Sequence, residues 1–437
     1  MASHPPPAPG PREKRLAAYL EGLAQAAGHR DRWQPLKNYC HGLLLPGERK
    51  SVEPMAARLA PDNVRRMHQS LHHVVADAAW SDRNLLSAVW QWVWPAMKRQ
   101  GPMVAWVVDD TGFPKKGRHS VGVARQYCGQ VGKQDNCRVA VSLSVSTQQS
   151  SLPVAYDLYL PETWATDKKR RRAAKVPEEI EFRTKPLIAA EQIREALKEG
   201  IPSAPVLADA AYGNDSKFRQ ALSDMGLDYL VGVQSTLSVW PTGMEPLKPK
   251  EWKGKGRRPK PLQRSAEHQP IQAEDLAREL PASAWKKISW RKGTKETLRS
   301  RFAAVRIRPA HRNISSTEPW PEQWLLVEWP QAEAKPTKYW LGTMSATIGL
   351  KELVALAKHR WIIERDYEEL KQELGLGHFE GRGWRGFHHH ATLCIAAYGF
   401  LVAERSRFSP SAHAGQLQLA LPQLPPGWQP RGSRSAA

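Results

Sequence analysis

Two apolar runs in this chain stop on aspartate, and they limit what it can fold into. Val104-Ala-Trp-Val-Val108 runs into Asp109-Asp110-Thr111-Gly112, and Pro205-Val206-Leu207-Ala208 runs into Asp209. A short apolar run that ends at turn formers reads as a buried strand. Residues 139–145 and 154–160 read as two more strands, and the three read as adjacent antiparallel strands. Lys185 to Leu197 reads as a helix that carries the chain to the fourth strand. Asn214 to Met225 is predicted as a helix and Tyr229 to Val233 as a fifth strand. This alternation predicts an α/β fold in which carboxylates at the ends of neighbouring strands converge on one sheet edge.

A third acid is expected to face that edge from a helix predicted over 350–374. Arg360, Glu364 and Lys371 stand four and seven positions apart, which places them within ~60° of one another on a helix surface. Leu353, Trp361, Tyr367, Leu370 and Leu374 offer apolar surface for docking. Asp110, Asp209 and Glu364 then make an oxygen donor set suited to a pair of Mg²⁺ ions. Two metals held ~4 Å apart can activate a water or a 3′-hydroxyl and stabilise the leaving oxygen of a phosphodiester. Each acid also has an ordinary reading. An Asp after a strand is commonly a turn former or helix cap, and a helix Glu flanked by Arg and Lys is commonly part of a salt-bridge ladder.

Charge balance favours the chemical reading. The chain has 437 residues, with 64 Lys plus Arg against 43 Asp plus Glu, a formal charge of +21. Such a balance points to a polyanionic partner, and nucleic acid is the first candidate. The hydrophobic fraction of 41% can build a substantial core. Cys40, Cys128, Cys137 and Cys394 lack the spacing of a zinc site, so a reducing cytoplasm is expected. The N-terminus has no apolar signal core. The longest mostly apolar run, Leu393 to Ala403, is half the ~20 residues that span a bilayer. A secreted or membrane-spanning protein is therefore not expected.

The expected organisation is a disordered lead at 1–12 and an N-terminal helical, DNA-binding domain at 13–95, with Pro54 and Pro95 as punctuation. The core follows at 96–233, a separate β-rich basic insertion at 234–338, the rest of the core at 339–408 and a flexible tail at 409–437. Several basic features stand out. Lys115, Lys116 and Arg118 follow the first Asp motif and could touch DNA. Residues 168–175 (KKRRRAAK) read as a basic loop. Lys248 to Arg264 holds eight cations against Glu251. Within it, Lys253, Lys255, Arg257 and Arg258 are expected to make sequence-blind, salt-sensitive backbone contacts. Trp320, Trp324, Trp329 and Trp340 are candidates to stack on a base, with core packing as the plain alternative. His388-His389-His390 cannot all face one way on a helix, and a structural or DNA-facing role is expected for them.

At these residues the chain resembles the DDE transposases of bacterial insertion sequences, in the retroviral-integrase superfamily. HRWIIE followed by Lys371 is similar to the YREK signature of the group that includes the Tn-five transposase. The phrases DDTGFPKKG, ADAAYG and GLGHFEGRGWRGFHHH resemble the sister group named for insertion sequence seven-hundred-and-one. The resemblance covers about Val104 to Glu404. It implies an RNase H-like core with acids after the first and fourth strands and on a late helix, and a β-rich insertion before that helix. Carried over by position, Asp110, Asp209 and Glu364 match the metal-binding acids, Arg360 the signature Arg and Lys371 the signature Lys. The signature Tyr would fall at Ala357, so its phosphate contact is either missing or made elsewhere, with Lys358 and Tyr367 as stand-ins. Of the two aspartates in the first motif, Asp110 precedes Thr and is the better match, with Asp109 as the alternative.

The implied activity is cut-and-paste transposition on DNA. The protein would bind terminal inverted repeats, hydrolyse DNA at the transposon ends and join the 3′-hydroxyls to target DNA. It would use two Mg²⁺ ions, with Mn²⁺ as a substitute, and act as a homodimer when synapsed, in a bacterial cytoplasm at the nucleoid. The rival readings are a standalone metal-dependent DNA nuclease on the same fold and a non-catalytic DNA-binding descendant.

Overall fold

The computed structural model of the chain describes residues 10–248, 264–265, 267–293, 297–310 and 318–407. Five helices come first: α1 (Pro11–Ala26), α2 (Trp33–Leu44), α3 (Val52–Leu59), α4 (Val64–His72) and α5 (Asp82–Gln100). Leu16, Tyr19, Leu20 and Leu23 of α1 are buried along one face, as their spacing of three and four requires. The helix opens on Pro11, inside the lead predicted to run to residue 12; Pro suits the first helical position, where its missing N–H has no partner to lose. Pro95 likewise does not end α5, which continues to Gln100. Gln91, whose carbonyl Pro95 leaves without a helical donor, is solvent-exposed.

The sheet begins with β1 (Ala105–Pro114), β2 (Ala124–Cys128), β3 (Lys133–Ser146) and β4 (Ser151–Leu158). The three adjacent antiparallel strands expected here are present with β3 in the middle, paired along all of β1 and, through its second half, with β4. β2 pairs with the first half of β3 and was not anticipated. Its sequence, ARQYC, is fully buried only at Cys128 and carries no apolar run. Next come α6 (Glu162–Ala165), α7 (Lys168–Ala173), α8 (Lys185–Lys198), β5 (Val206–Ala208), α9 (Ala210–Gly213), α10 (Ser216–Asp224) and β6 (Tyr229–Val233). The basic segment expected as a loop at 168–175 is therefore mostly the helix α7. β5 runs parallel to β1, and β6 parallel to β5.

The remaining elements are β7 (Ser238–Trp240), β8 (Ile271–Gln272), α11 (Ala273–Glu279), β9 (Lys286–Lys292), β10 (Thr297–Pro309), β11 (Gln323–Glu328), β12 (Lys338–Gly342), α12 (Leu350–His359), α13 (Ile362–Gln372) and α14 (Trp384–Arg405). The insertion is β-rich but its strands do not form a sheet apart. β12 pairs with β6 on one side and β11 on the other, so one twelve-stranded sheet runs β2-β3-β1-β5-β6-β12-β11-β10-β7-β8, with β4 added on β3 and β9 on β10. A small apolar cluster under α11, including Leu276, Ala277, Ile307 and Leu325, gives the segment a core of its own.

α14 is buried over nearly its whole length, which accounts for the apolar run at 393–403. It is the inner helix of the N-terminal bundle. The Tyr19 hydroxyl donates to the Ala396 carbonyl (2.7 Å), and the Arg15 Nε donates to Glu404 (2.7 Å). Gly399 lets α5 and Tyr19 approach; a Cβ there would stand 2.8 Å from Val89 Cγ1. The bundle and the sheet share one core. Among the described residues no helix is long and apolar enough to cross a membrane, and all four cysteines are buried free thiols.

Candidate active site

β1 delivers Asp109 and Asp110 to opposite faces, because side chains alternate along a strand. Val107 pairs with Leu207 in the parallel register between β1 and β5. Two residues further on, Asp109 is level with Asp209 on the neighbouring strand, ~4.8 Å away in backbone terms and on the same face. Asp209 is the first residue after β5, with extended backbone (φ −82°, ψ −176°). Its carboxylate caps α9 by accepting from the Ala211 N–H (2.9 Å). The turn behind it needs two glycines in close approach: a Cβ on Gly213 would fall 1.9 Å from the Gly232 carbonyl oxygen.

The helix predicted over 350–374 is broken in the structure. α12 ends at His359, and α13 starts at Ile362. Tight bonds from Ile363 N–H to the Arg360 carbonyl (3.3 Å) and from Glu364 N–H to the Trp361 carbonyl (3.1 Å) bridge the break. Arg360 therefore does not share a continuous helix face with Glu364. Instead its guanidinium reaches β1 and donates to Asp109 Oδ2 (2.8 Å). Burial acts against the charge of Arg360, but the fields of Asp109, Asp209 and Glu364 outweigh it and raise its pKa above the usual range. Burial pushes the Asp109 carboxyl up to about 6 against the pull of Arg360, and the charge of Asp209 adds to the rise. Glu364 is exposed in the first turn of α13, where an acid is favoured by the helix dipole.

The arrangement brings Asp109, Asp209 and Glu364 around one arginine. It does not bring in Asp110. That carboxylate faces α8, where it pairs with the Lys185 ammonium (2.9 Å) and accepts from the Tyr212 hydroxyl (3.4 Å). Burial, then Asp110, Asp109 and Asp209 push the Tyr212 phenol well above its usual range. The gathering thus takes in Asp109, held in the sequence reading as the alternative to Asp110, while Lys185 and Tyr212, which that reading did not single out, hold Asp110 on the other side of β1. The only available signal for Asp109 was strand parity, and Val104–Val108 conceals parity because it is apolar on both faces.

The cations divide by whether they are free. Lys371 donates to the Gly112 carbonyl (3.2 Å) and lies 5.2 Å from the Phe113 ring centroid, so it fixes the far end of α13 to β1. Burial lowers its pKa. Lys115 is also committed: it donates to the Phe379 carbonyl (2.9 Å), and burial lowers it to about 8. Lys116 is exposed. Lys253, Lys255, Arg257 and Arg258 lie outside the described residues. Neither stand-in for the signature tyrosine is free. Lys358 pairs with Glu328 (2.6 Å), the Tyr367 hydroxyl bonds Ser142, and Ala357 itself is buried.

The other candidates have structural partners. His388 accepts from the Leu158 N–H (3.2 Å), His389 stacks on Trp80 with ring centroids 3.6 Å apart, and His390 bonds the Tyr39 hydroxyl (2.8 Å). Burial lowers His389 and His390 to about 4. Trp324 and Trp329 donate to the carbonyls of Ser345 (3.0 Å) and Glu333 (2.9 Å). Trp340 packs against the main core, and Trp320 lines a small cleft beside Arg219 and Tyr229.

Among the described residues no three His, Cys, Asp or Glu side chains stand close enough together to grip a metal ion; Arg360 is the cation among the acids. The donor set itself consists of carboxylates, which suits a hard divalent ion. Two of the donors emerge level from adjacent strands.

A family model described as DDE superfamily endonuclease matches residues 22–297. The match takes in both aspartate motifs and stops before α13. The chain is also similar to a "probable transposase for insertion sequence element IS701" from Microchaete diplosiphon, with 31% identity over 199 residues. That alignment covers 45% of this chain and 48% of the relative, so the chain spans about half the length of the curated relative it matches. Among solved structures, the NurA nuclease from Sulfolobus solfataricus aligns at 8% identity and a TM-score of 0.24, over 73% of this chain and 88% of that one. With the family model matching well over half of its length, the chain belongs to the DDE superfamily endonucleases.

Proposed function

We propose that the protein is a cut-and-paste DNA transposase on an RNase H-like core. The observation that carries this reading is the gathering of Asp109, Asp209 and Glu364 around Arg360 at one edge of the sheet. The strand order supports it: β1 lies between antiparallel β3 and parallel β5, with β6 beyond. The similarity to an insertion-sequence transposase supports it as well. The proposed first acid is Asp109, in place of the Asp110 expected from the resemblance.

Asp109, Asp209 and Glu364 would hold a pair of divalent ions, Mg²⁺ or Mn²⁺, which when bound activate the attacking oxygen and stabilise the leaving one. The chain's own groups prepare that site. Arg360 orients the Asp109 carboxylate. The α9 turn fixes Asp209, and Lys371 holds α13 against β1 so that Glu364 faces the strand ends. The substrate is duplex DNA: the terminal inverted repeats, then the target that receives the 3′-hydroxyls. A homodimer would hold the two ends together. The basic run at 248–264 would add backbone contacts that carry no sequence information.

The test uses the full chain with linear DNA carrying the element's own ends, in Mg²⁺ or Mn²⁺. The expected products are 3′-hydroxyl ends and covalently joined target strands. Cleavage without joining would mark a standalone nuclease. No cleavage in either metal would reject both.

A further inference from the structure

Between Trp164 and Val176 the chain places six cations, with Asp167 the only acid. Five of them are consecutive, Lys168 to Arg172, and all five lie in α7. Like charges at i, i+4 destabilise an isolated helix, so this helix needs support from elsewhere. Two of its arginines provide it by turning inward. The Arg170 guanidinium lies 3.8 Å over the buried Trp164 ring and donates to the Arg118 carbonyl (3.1 Å). Arg171 donates to the carbonyls of Ile180 (2.6 Å) and Pro177 (2.8 Å). Asp167 is used as the helix cap and accepts from the Arg170 N–H (2.9 Å).

The other three cations, Lys168, Lys169 and Arg172, are exposed. They fall within ~100° of one another around the helix. The Arg170–Arg118 bond ties the helix to the loop after β1, where Lys116 and Arg118 are also exposed. None of these five side chains takes part in any of the ion pairs among the described residues. The fold thus anchors the helix that carries this unpaired positive charge. The loop continues the strand that bears Asp109. Lys116 is seven residues further on, at most ~23 Å away at ~3.3 Å per residue, roughly seven base pairs at ~3.4 Å each.

We infer that the outward face of α7, with Lys116 and Arg118, is a rigid cationic ridge. It holds the phosphate backbone of the substrate duplex to one side of the cleaved phosphate. This rests on the transposase reading and adds to it a surface that the resemblance did not assign. Anchoring by Arg170 and Arg171 fixes where the backbone lies, which loosely tethered lysines could not do.

The experiment measures binding of the full-length protein to a duplex carrying the element's end, in chelator, across a salt series. The triple variant Lys168→Ala/Lys169→Ala/Arg172→Ala should lower the slope of log K against log salt by about 2 to 3, from about 0.9 per lost phosphate contact. Adding Lys116→Ala/Arg118→Ala should lower it further. The charge-keeping variant Lys168→Arg/Lys169→Arg/Arg172→Lys should retain the slope. Removing three exposed cations elsewhere, Arg194→Ala/Lys217→Ala/Lys351→Ala, should change it little. An unchanged slope in the first triple variant, or an equal fall in the last, overturns the ridge. If the wild type cleaves the duplex in Mg²⁺ and the slope still does not move, the ridge alone fails. If the wild type neither binds nor cleaves, the transposase reading fails with it.

Discussion

Asp109→Asn should reduce DNA cleavage about 10³-fold or more, whereas Asp110→Asn should reduce it less than about tenfold. The larger figure corresponds to about 4 kcal/mol of barrier, in the range of losing one preorganised electrostatic element of a phosphoryl-transfer site. Asparagine matches aspartate in shape and keeps an oxygen that can accept from Arg360, so the change removes charge rather than packing. Arg360 loses its nearest anion, but Asp209 and Glu364 still face it. Thermal unfolding of the variant separates damage to the fold from damage to the chemistry. Asp110 faces Lys185 on the other side of β1, and its loss should be felt mainly in the seating of α8. Single-turnover cleavage of an end-bearing duplex decides between them, with binding measured in parallel. If Asp110→Asn proves the more damaging, the first acid is the one expected from the resemblance.

The strands that carry the acids were legible because Val104–Val108 and Val206–Ala208 are apolar runs stopped by turn formers. Which of two adjacent aspartates enters the site was not legible. A strand buried on both faces has no alternation, and its parity is set by pairing with β5, a hundred residues away. The break at Arg360–Trp361 was hidden for a related reason. No Gly or Pro marks it. Its cause is non-local: Arg360 turns to Asp109, while the Trp361 ring is covered by Arg291 at 3.8 Å. The β-rich character of 234–338 was readable from alternation in Arg299–Arg308 and Trp324–Trp329. Its union with the main sheet was not, because it depends on β12 pairing with β6 and β11 at once.

Gly213→Ala should lower both stability and activity. The new Cβ would fall 1.9 Å from a backbone oxygen and 3.0 Å from Val231 Cβ. Backbone cannot swing aside as a long side chain can, so α9 must lift off β6. Overpacking of this kind costs about 1–3 kcal/mol, a loss of a few degrees in Tm. The lifted turn carries Asp209, and a displacement of about 1 Å at a reacting centre can cost about 10²-fold in rate. Gly232→Ala attacks the same contact from the other side, with a Cβ 2.9 Å from the Ala210 nitrogen, and should reproduce both losses. Unchanged melting and cleavage in both variants would mean that the close approach does not hold the acid. The phrase ADAAYG then has a physical reading: an acid that caps its own turn, and a glycine that lets the turn sit on the sheet.

The place of α14 in the bundle bears on how the protein is made. The helix surrounded by α1, α2 and α5 is the last one synthesised among the described residues. Arg15 leaves the ribosome almost 390 residues before its partner Glu404. At about 5–20 residues per second that is a delay of roughly 20–80 s. Throughout it, Tyr19 and Tyr39 lack the α14 groups they bond, the Ala396 carbonyl and His390. A nascent or prematurely ended copy would expose the apolar faces on which chaperones and proteases act. It would also carry Asp109, Asp209 and, if long enough, Glu364 without the packed centre that completes the fold around them. The order of translation therefore withholds the packed fold around these acids until the message has been read almost through α14.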